Sequence, residues 1–213
     1  EPPDYPKLLD RLALEFFESD WNVRHLIRCI VTSRAYRMSS DATEDVLKHD
    51  PENRFLARQG RWRYHAEGVR DAVLLASGLL VERLGGPSVH PYQPAGYYRH
   101  LNFPQRTYNQ DTDDRQWRRG LYVHWQRMFL HPQLLAFDAP TREECTAQRA
   151  RSNTPKAALV LLNDPTFIEA ARNLAERVLK ESESEDDRLT TLWRHAVSRR
   201  PDASERKLLK NLL

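Results

Sequence analysis

Two stretches of this chain gather side chains whose types and spacing could do chemistry. The first holds Arg61, Arg63, Glu67, Arg70 and Asp71. Steps of four residues separate Arg63 from Glu67 and Glu67 from Asp71, and Arg70 lies three beyond Glu67, so on a helix they share one flank. A carboxylate among guanidinium groups can serve as an acid–base group, and the cations can hold an anion. The second stretch holds Asp138, Arg142, Glu143, Arg149, Arg151, Asn153, Thr154, Asn163 and Asp164. Arg149 and Arg151 precede a helix start, where free backbone N–H groups favour carboxylate, phosphate or sulfate. Glu67 and Asp138 are the candidate catalytic carboxylates. The competing account makes both stretches scaffold, a salt-bridged helix flank under a long loop and a rigid polar network. Scaffold is the favoured expectation.

Other constellations are weaker. His90, His100, His124 and His131 show no helical i, i+4 pairing and no His-Glu-x-x-His, so no metal site and no cofactor are expected. Asp111, Asp113 and Asp114 resemble the start of a calcium loop but lack its glycine and distal glutamate, and read as a solvated acidic turn. Tyr92, Tyr97, Tyr98, Tyr108, Trp117 and Trp125 could stack a sugar or base, but such residues more often pin a loop to a core. Cys29 and Cys145 form no Cys-x-x-Cys, and neither a Walker A loop, a dinucleotide-binding glycine motif nor a Gly-x-Ser-x-Gly elbow is present.

The elements that must position these groups are mostly helical. Leu8, Leu9, Leu12, Phe16 and Phe17 make one stripe behind Pro6. Asn22 caps a second helix carrying Val23, Leu26, Ile27, Ile30 and Val31. Residues 39–50 read as a polar loop. The spacing of Trp62, Ala66, Val69, Val73, Ala76 and Leu80 predicts a long helix ended by Gly85-Gly86-Pro87. Residues 85–117 read as a long aromatic-rich loop, and Leu121, Val123 and Trp125 as a short strand partnered by that loop. Thr141 with Glu144 suggests a capping box. Thr154-Pro155 and Asp164-Pro165 each open a helix, the second with Phe167, Ile168, Ala171, Leu174, Ala175 and Val178 as its stripe. An acidic connector at 181–187 precedes two last helices, carrying Leu189, Leu192, Trp193, Ala196 and Val197, then Leu208, Leu209, Leu212 and Leu213.

The bulk numbers bound the function. A chain of 213 residues is long enough to bury its own core without a disulfide or metal. It has 27 arginines against 6 lysines, yet 30 acids hold the formal charge to +3. Guanidinium groups nearly matched by carboxylates argue against a nucleic-acid coat. The longest uncharged apolar run, Ala72–Val81, is about half a membrane span, so no membrane-crossing helix is expected. The opening Glu1-Pro2-Pro3 reads as a cut inside a longer multidomain protein.

Longer motifs carry a resemblance. They are Asp50-Pro51-Glu52-Asn53-Arg54, Arg61-x-Arg63, Ala66-Glu67-x-x-Arg70-Asp71, Gly85-Gly86-Pro87-Ser88-Val89, and Ala136-Phe137-Asp138-Ala139-Pro140-x-Arg142-Glu143-x-Cys145-Thr146. The last continues through Arg149-x-Arg151 and Asn153-Thr154-Pro155 to Leu161-Leu162-Asn163-Asp164. With them the chain resembles the planctomycete-specific PSD-one domain family, a domain of unknown function. The resemblance implies a C-terminal module of large exported proteins, periplasmic or extracellular, often following cytochrome-c-like and sugar-binding-like modules. It carries over no catalytic residue. The chain departs from the family pattern at Trp62, Tyr64, His65 and Gly68, and at Lys156-Ala157.

The expected fold is mainly α, a single multi-helix domain over 1–213 with a long aromatic-rich loop and a small β element. The expected function is a non-catalytic helical interaction module, docking other modules of its parent protein or a cell-surface or polysaccharide ligand. Two alternatives stand beside it: a hydrolase of anionic or sulfated polysaccharide, and a support domain for a cytochrome-c-type electron-transfer module.

Overall fold

The computed structural model describes residues 2–101, 105–127 and 129–212; parts of the expected 85–117 loop, and Leu213 of the last stripe, lie outside the described residues. The protein is mainly α, and its residues group into two compact units, Glu1–Arg63 and Tyr64–Leu213.

In the first unit, α1 (Pro6–Glu18) begins with proline in its first turn, and α2 (Val23–Thr32) is capped by Asn22, whose side chain accepts from His25 N at 3.1 Å. The two helices pack against each other across a turn in which Asp20 and Trp21 both take left-handed φ, 56° and 59°. Phe16 and Phe17 meet Trp21 edge-on, fastening that turn. The polar loop expected at 39–50 contains a short helix, α3 (Glu44–His49). Its apolar content is too small to show as a stripe. Thr43 caps it, Glu44 and Asp45 sit at its positive end, and Lys48 and His49 at its negative end, which suits the helix dipole.

The motif at 50–54 builds a turn held by polar groups. The buried Asp50 carboxylate accepts from Arg54 N at 2.7 Å and Phe55 N at 3.0 Å. Asn53, at φ 55°, binds both backbone groups of Arg58, whose guanidinium returns to the carbonyls of Asp50 and Pro51. None of α1, α2 or α3 contributes a buried residue.

The second unit is organised on α4 (Ala66–Ser77), which packs against α5 (Pro132–Ala136), α7 (Pro165–Glu181) and α8 (Glu185–Val197). The helix is shorter than the one expected from Trp62 to Gly85. It starts at Ala66, and Gly78 ends it at φ 80°, with Leu79 N and Leu80 N both returning to the Leu74 carbonyl. The residues beyond leave the helix, and Val81 makes an isolated parallel bridge with Arg118. The strand expected at 121–125 reduces to a second bridge, Val89 with Val123, beside a 3₁₀ turn at Gly120–Tyr122. Its partner is indeed the preceding loop.

The two proline-opened helices form as expected. Thr154 caps α6 (Pro155–Asn163) by accepting from Ala157 N at 3.3 Å, and Asp164 caps α7 by accepting from Thr166 N at 2.9 Å. The buried face of α7 is Thr166, Phe167, Ala170 and Val178, leaving Ile168 and Ala171 exposed, so the expected stripe is rotated. No helix follows Thr141. Its hydroxyl accepts from Glu143 N, and Arg142 is left-handed at φ 63°. The acidic connector is only 182–184, because Ser184 caps α8 and the acids occupy that helix's first turn. α9 (Ala203–Leu212) closes the described chain.

The core joins Ala66 and Val123 to Leu130, Leu134, Ala136, Phe137, Ala139, Ala157 and Phe167. The long loop is pinned to it as the aromatic residues suggested: Tyr97 Oη donates to Leu130 O at 2.9 Å, Tyr108 Oη to Pro91 O, and His131 Nε2 to Tyr92 O at 2.8 Å. Arg118 is buried over the Tyr122 ring and donates to the carbonyls of Arg83, Gly85 and Pro87, which ties down the Gly85-Gly86 turn.

Gly120 is where the 3₁₀ turn meets α4. A Cβ there would lie 2.8 Å from Glu67 Cα and 3.0 Å from Glu67 O, both backbone atoms that cannot swing aside. Gly120→Ala is therefore expected to destabilise the protein by about 2–3 kcal/mol, lowering the Tm by roughly 4–10 °C in a thermal melt. An unchanged Tm would mean that the turn does not pack on α4 in this way.

Candidate functional site

α4 presents Glu67, Arg70 and Asp71 to three different parts of the second unit. Glu67 meets Arg149, whose Nη1 reaches Oε1 at 3.0 Å and Oε2 at 2.9 Å. Both side chains are partly buried, so this pair is better shielded than a surface salt bridge. Asp71 accepts from Gly120 N at 2.6 Å and from Arg119 Nε at 3.2 Å, fixing the 3₁₀ turn on the helix. The remaining members of the first stretch stand apart. Arg61 and Arg63 belong to the first unit, where Arg61 pairs with Asp41 at 2.6 Å.

Arg70 is wholly buried. Its guanidinium donates to Gln133 Oε1 at 2.8 Å and to the Gln116 carbonyl, with no direct ion pair among the described residues. Burial pulls its pKa down to about 10, against the opposing pull of Asp71 and Asp164, so it stays cationic at neutral pH. Gln133, also buried, passes the link on, donating from Nε2 to Asp164 Oδ1 at 3.2 Å. The Asp164 carboxyl is pushed above its ordinary range by burial, with the Thr166 hydrogen bonds at the start of α7 pulling the other way. The two stretches therefore meet twice, at Glu67–Arg149 and along Arg70–Gln133–Asp164.

The rest of the second stretch is engaged by other groups. Asp138, left-handed at φ 61°, accepts from Ser152 N at 2.6 Å and from Ser152 Oγ at 2.8 Å. Arg142 lies over the Trp125 ring, 4.0 Å from its centroid, and Glu143 pairs with Arg127 at 3.1 Å. Arg151 Nη2 lies 3.3 Å from His65 Nε2, and Asn163 Nδ2 donates back to Leu159 O at 2.9 Å. Asn153 also has an interaction partner. Neither candidate catalytic carboxylate stands alone: Glu67 is held by Arg149, and Asp138 by Ser152. Chemically, the arrangement can bind a further anion at Arg149 or Arg151 only by competing with the groups already there.

Of the histidines, His90 and His124 stack at 4.7 Å, and burial together with His124 lowers the His90 pKa. His131 is buried, with Nε2 donating to Tyr92 O and Nδ1 without a hydrogen-bond partner among the described residues. Asp111 accepts from His90 N at 2.7 Å and pairs with Arg115 at 3.1 Å, while Asp113 caps the turn at Asp114–Trp117. These acids fasten a loop. Pattern reasoning missed Gln133 and Gln116, the acceptors for Arg70. Isolated glutamines carry no sequence signal of their own. It also missed a group in the first unit: Glu15, His25 and Cys29 place ligand atoms within 4.8 Å of one another. The signal was there, since His25 and Cys29 are four apart on a helix already legible from its apolar spacing.

The family model described as PSD1, a protein of unknown function (DUF1553), matches residues 1–213, so the chain belongs to that family. No curated protein and no solved structure matches it.

Gln133→Leu removes the amide between Arg70 and Asp164 and is expected to cost about 2–4 kcal/mol in urea unfolding. Adding Arg70→Met should cost less than the sum of the two single changes, because the stranded cation is gone. Strict additivity would show that the two side chains do not act together.

Burial, reinforced by the Arg70 charge, drops the His131 pKa from 6.5 to about 4. As pH falls, the unfolded chain takes up this proton before the folded one does, so stability is present at neutral pH and lost between pH 6.5 and 4. Between pH 7.5 and 5, wild type should lose about 2 kcal/mol more than His131→Gln. Parallel pH profiles for the two proteins would rule out a neutral, buried imidazole.

Proposed function

We propose that this PSD1-family chain is a non-catalytic helical interaction module of an exported multidomain protein, working in the periplasm or outside the cell. Its arginine–acid network is scaffold, and its binding surface is the apolar face of the first unit. The observation that carries this reading is that α1, α2 and α3 fully bury none of their apolar residues, Leu12, Phe16 and Leu26 being only half-buried. Phe17 is 64% exposed, Trp21 63%, Phe55 76% and Trp62 79%. Large aromatics left in water within one 63-residue unit mark a surface that another protein covers, and aromatic anchors of this kind dominate binding energy.

Support also comes from the second unit. A carboxylate that performs acid–base work must reach a substrate proton. Glu67 and Asp138 are instead turned to Arg149 and Ser152, and the first of these contacts joins parts of the chain 82 residues apart. No helix among the described residues is long and apolar enough to cross a membrane. The partners that fit this reading are the other modules of the same parent protein.

The test is binding of the purified chain to those modules by isothermal titration calorimetry, with Phe55→Ser/Trp62→Ser as the variant. Loss of at least about tenfold in affinity, with the helical circular dichroism spectrum retained, is the expected result. A panel of glycosides, esters and sulfated polysaccharides should show no turnover. Turnover that disappears in Glu67→Gln or Asp138→Asn would replace this reading with that of a hydrolase.

A further inference from the structure

α1 and α2 bring three metal-ligand side chains to one point. Glu15 stands near the end of α1, and His25 and Cys29 follow each other by one turn on α2. His25 Nε2 lies 2.8 Å from Glu15 Oε1 and 3.4 Å from Cys29 Sγ. A thiol, an imidazole and a carboxylate in this order suggest at first a nucleophile, its base and an orienting acid. In such a relay the base turns opposite ring nitrogens to its two partners. Here the carboxylate and the sulfur both meet the same nitrogen. Three ligand atoms gathered within 4.8 Å of one another, two of them on the same nitrogen, describe the position of a cation.

We infer that Glu15, His25 and Cys29 form a site for a divalent transition metal of the zinc type.

The distances fit. Tetrahedral zinc, with ligand bonds of about 2.0–2.3 Å, sets nitrogen and oxygen about 3.4 Å apart and nitrogen and sulfur about 3.6 Å apart. From the observed 2.8 and 3.4 Å, the donors need to part by only about 0.6 and 0.2 Å. The Glu15 and His25 side chains retain 29% and 39% of their exposure, which leaves room for that movement and a path for the ion. The donor set selects the metal as well, because thiolate with imidazole favours zinc-like ions over magnesium or calcium. Charge also balances: thiolate and carboxylate neutralise the dication, as a half-buried position requires.

The surroundings support the ligands. Arg11 Nη2 donates to Glu15 Oε2 at 3.2 Å, holding the carboxylate by the oxygen that does not face His25. Asn22 caps α2 through His25 N, fixing where the imidazole leaves the helix. Cys29 opens onto a groove of about 520 Å³ shared with Leu8, Leu12, Ile30 and Tyr36. Three protein ligands leave the fourth position of the metal to water or to a donor from outside the chain. On binding, the Cys29 thiol gives its proton to solvent as the metal–sulfur bond forms, and the imidazole binds as the neutral base.

The test is titration of the metal-free, reduced full chain with Co²⁺, followed by competition with Zn²⁺. Expected are one equivalent bound, a thiolate-to-cobalt charge-transfer band with intense tetrahedral ligand-field bands, and their loss as Zn²⁺ displaces Co²⁺. Cys29→Ser should abolish the charge-transfer band, and His25→Gln should weaken binding by at least about tenfold. Cys145→Ser should change neither, and circular dichroism should show all three variants folded. Absence of the band in the wild-type chain, its survival in Cys29→Ser, or its dependence on Cys145 would each overturn the assignment.

Discussion

The constraint on which the second unit depends is a cation taken wholly out of water. A guanidinium at the Arg70 position costs several kcal/mol to desolvate, and no carboxylate among the described residues touches it directly. What holds it is a set of neutral acceptors delivered from separate places. One is the carbonyl of Gln116, in the turn that precedes Arg118. The other is the amide of Gln133 on α5, which hands the interaction on to Asp164 at the start of α7. Displace any of these segments by an ångström and a buried polar group is left unmet, so their positions are mutually determined. The packing of Ala66 and Leu74 on either side of Arg70 supplies the hydrophobic part of the same arrangement.

Arg118 repeats the device with backbone carbonyls alone, whereas Arg149, half-buried, takes a carboxylate, Glu67. The excess of arginine over lysine has a physical reason here. A planar fork with several donors can meet two or three acceptors in fixed directions, which a lysine ammonium on its flexible stem does not. A near-neutral chain can therefore be rich in arginine without a basic surface.

The first unit is held by different means. Its three helices fully bury no apolar side chain, and its ordered loop hangs on Asp50, Asn53 and Arg58. A unit with so little core has little stability from burial. The proposed partner would cover apolar faces that the unit leaves exposed, and a metal joining α1 to α2 would supply a cross-link that the core does not. The proposed interaction surface and the proposed metal site would thus answer the same deficit, although they rest on separate observations.

Much of the helical framework was legible in the sequence because its signals are local. Asn22, Thr154 with Pro155, and Asp164 with Pro165 mark helix starts through hydrogen bonds that span two or three residues. Gly78 was as local a signal, yet the apolar period running to Leu80 obscured it, since a left-handed stop leaves hydrophobic spacing undisturbed. The acidic and arginine members of both stretches were visible as residue types. Their partners were not, because Arg149 lies 82 residues from Glu67 and Gln133 lies 63 from Arg70. By itself the sequence determined the class of fold, where most helices begin, and that its guanidinium groups must find acceptors within the chain, all consequences of composition and of contacts a few residues long. Only the tertiary structure decided which acceptor each cation found, which strand-like run became a 3₁₀ turn, and that Glu15 joins His25 and Cys29. Those outcomes depend on how helices pack, and packing brings together residues whose separation along the chain carries no trace of the encounter.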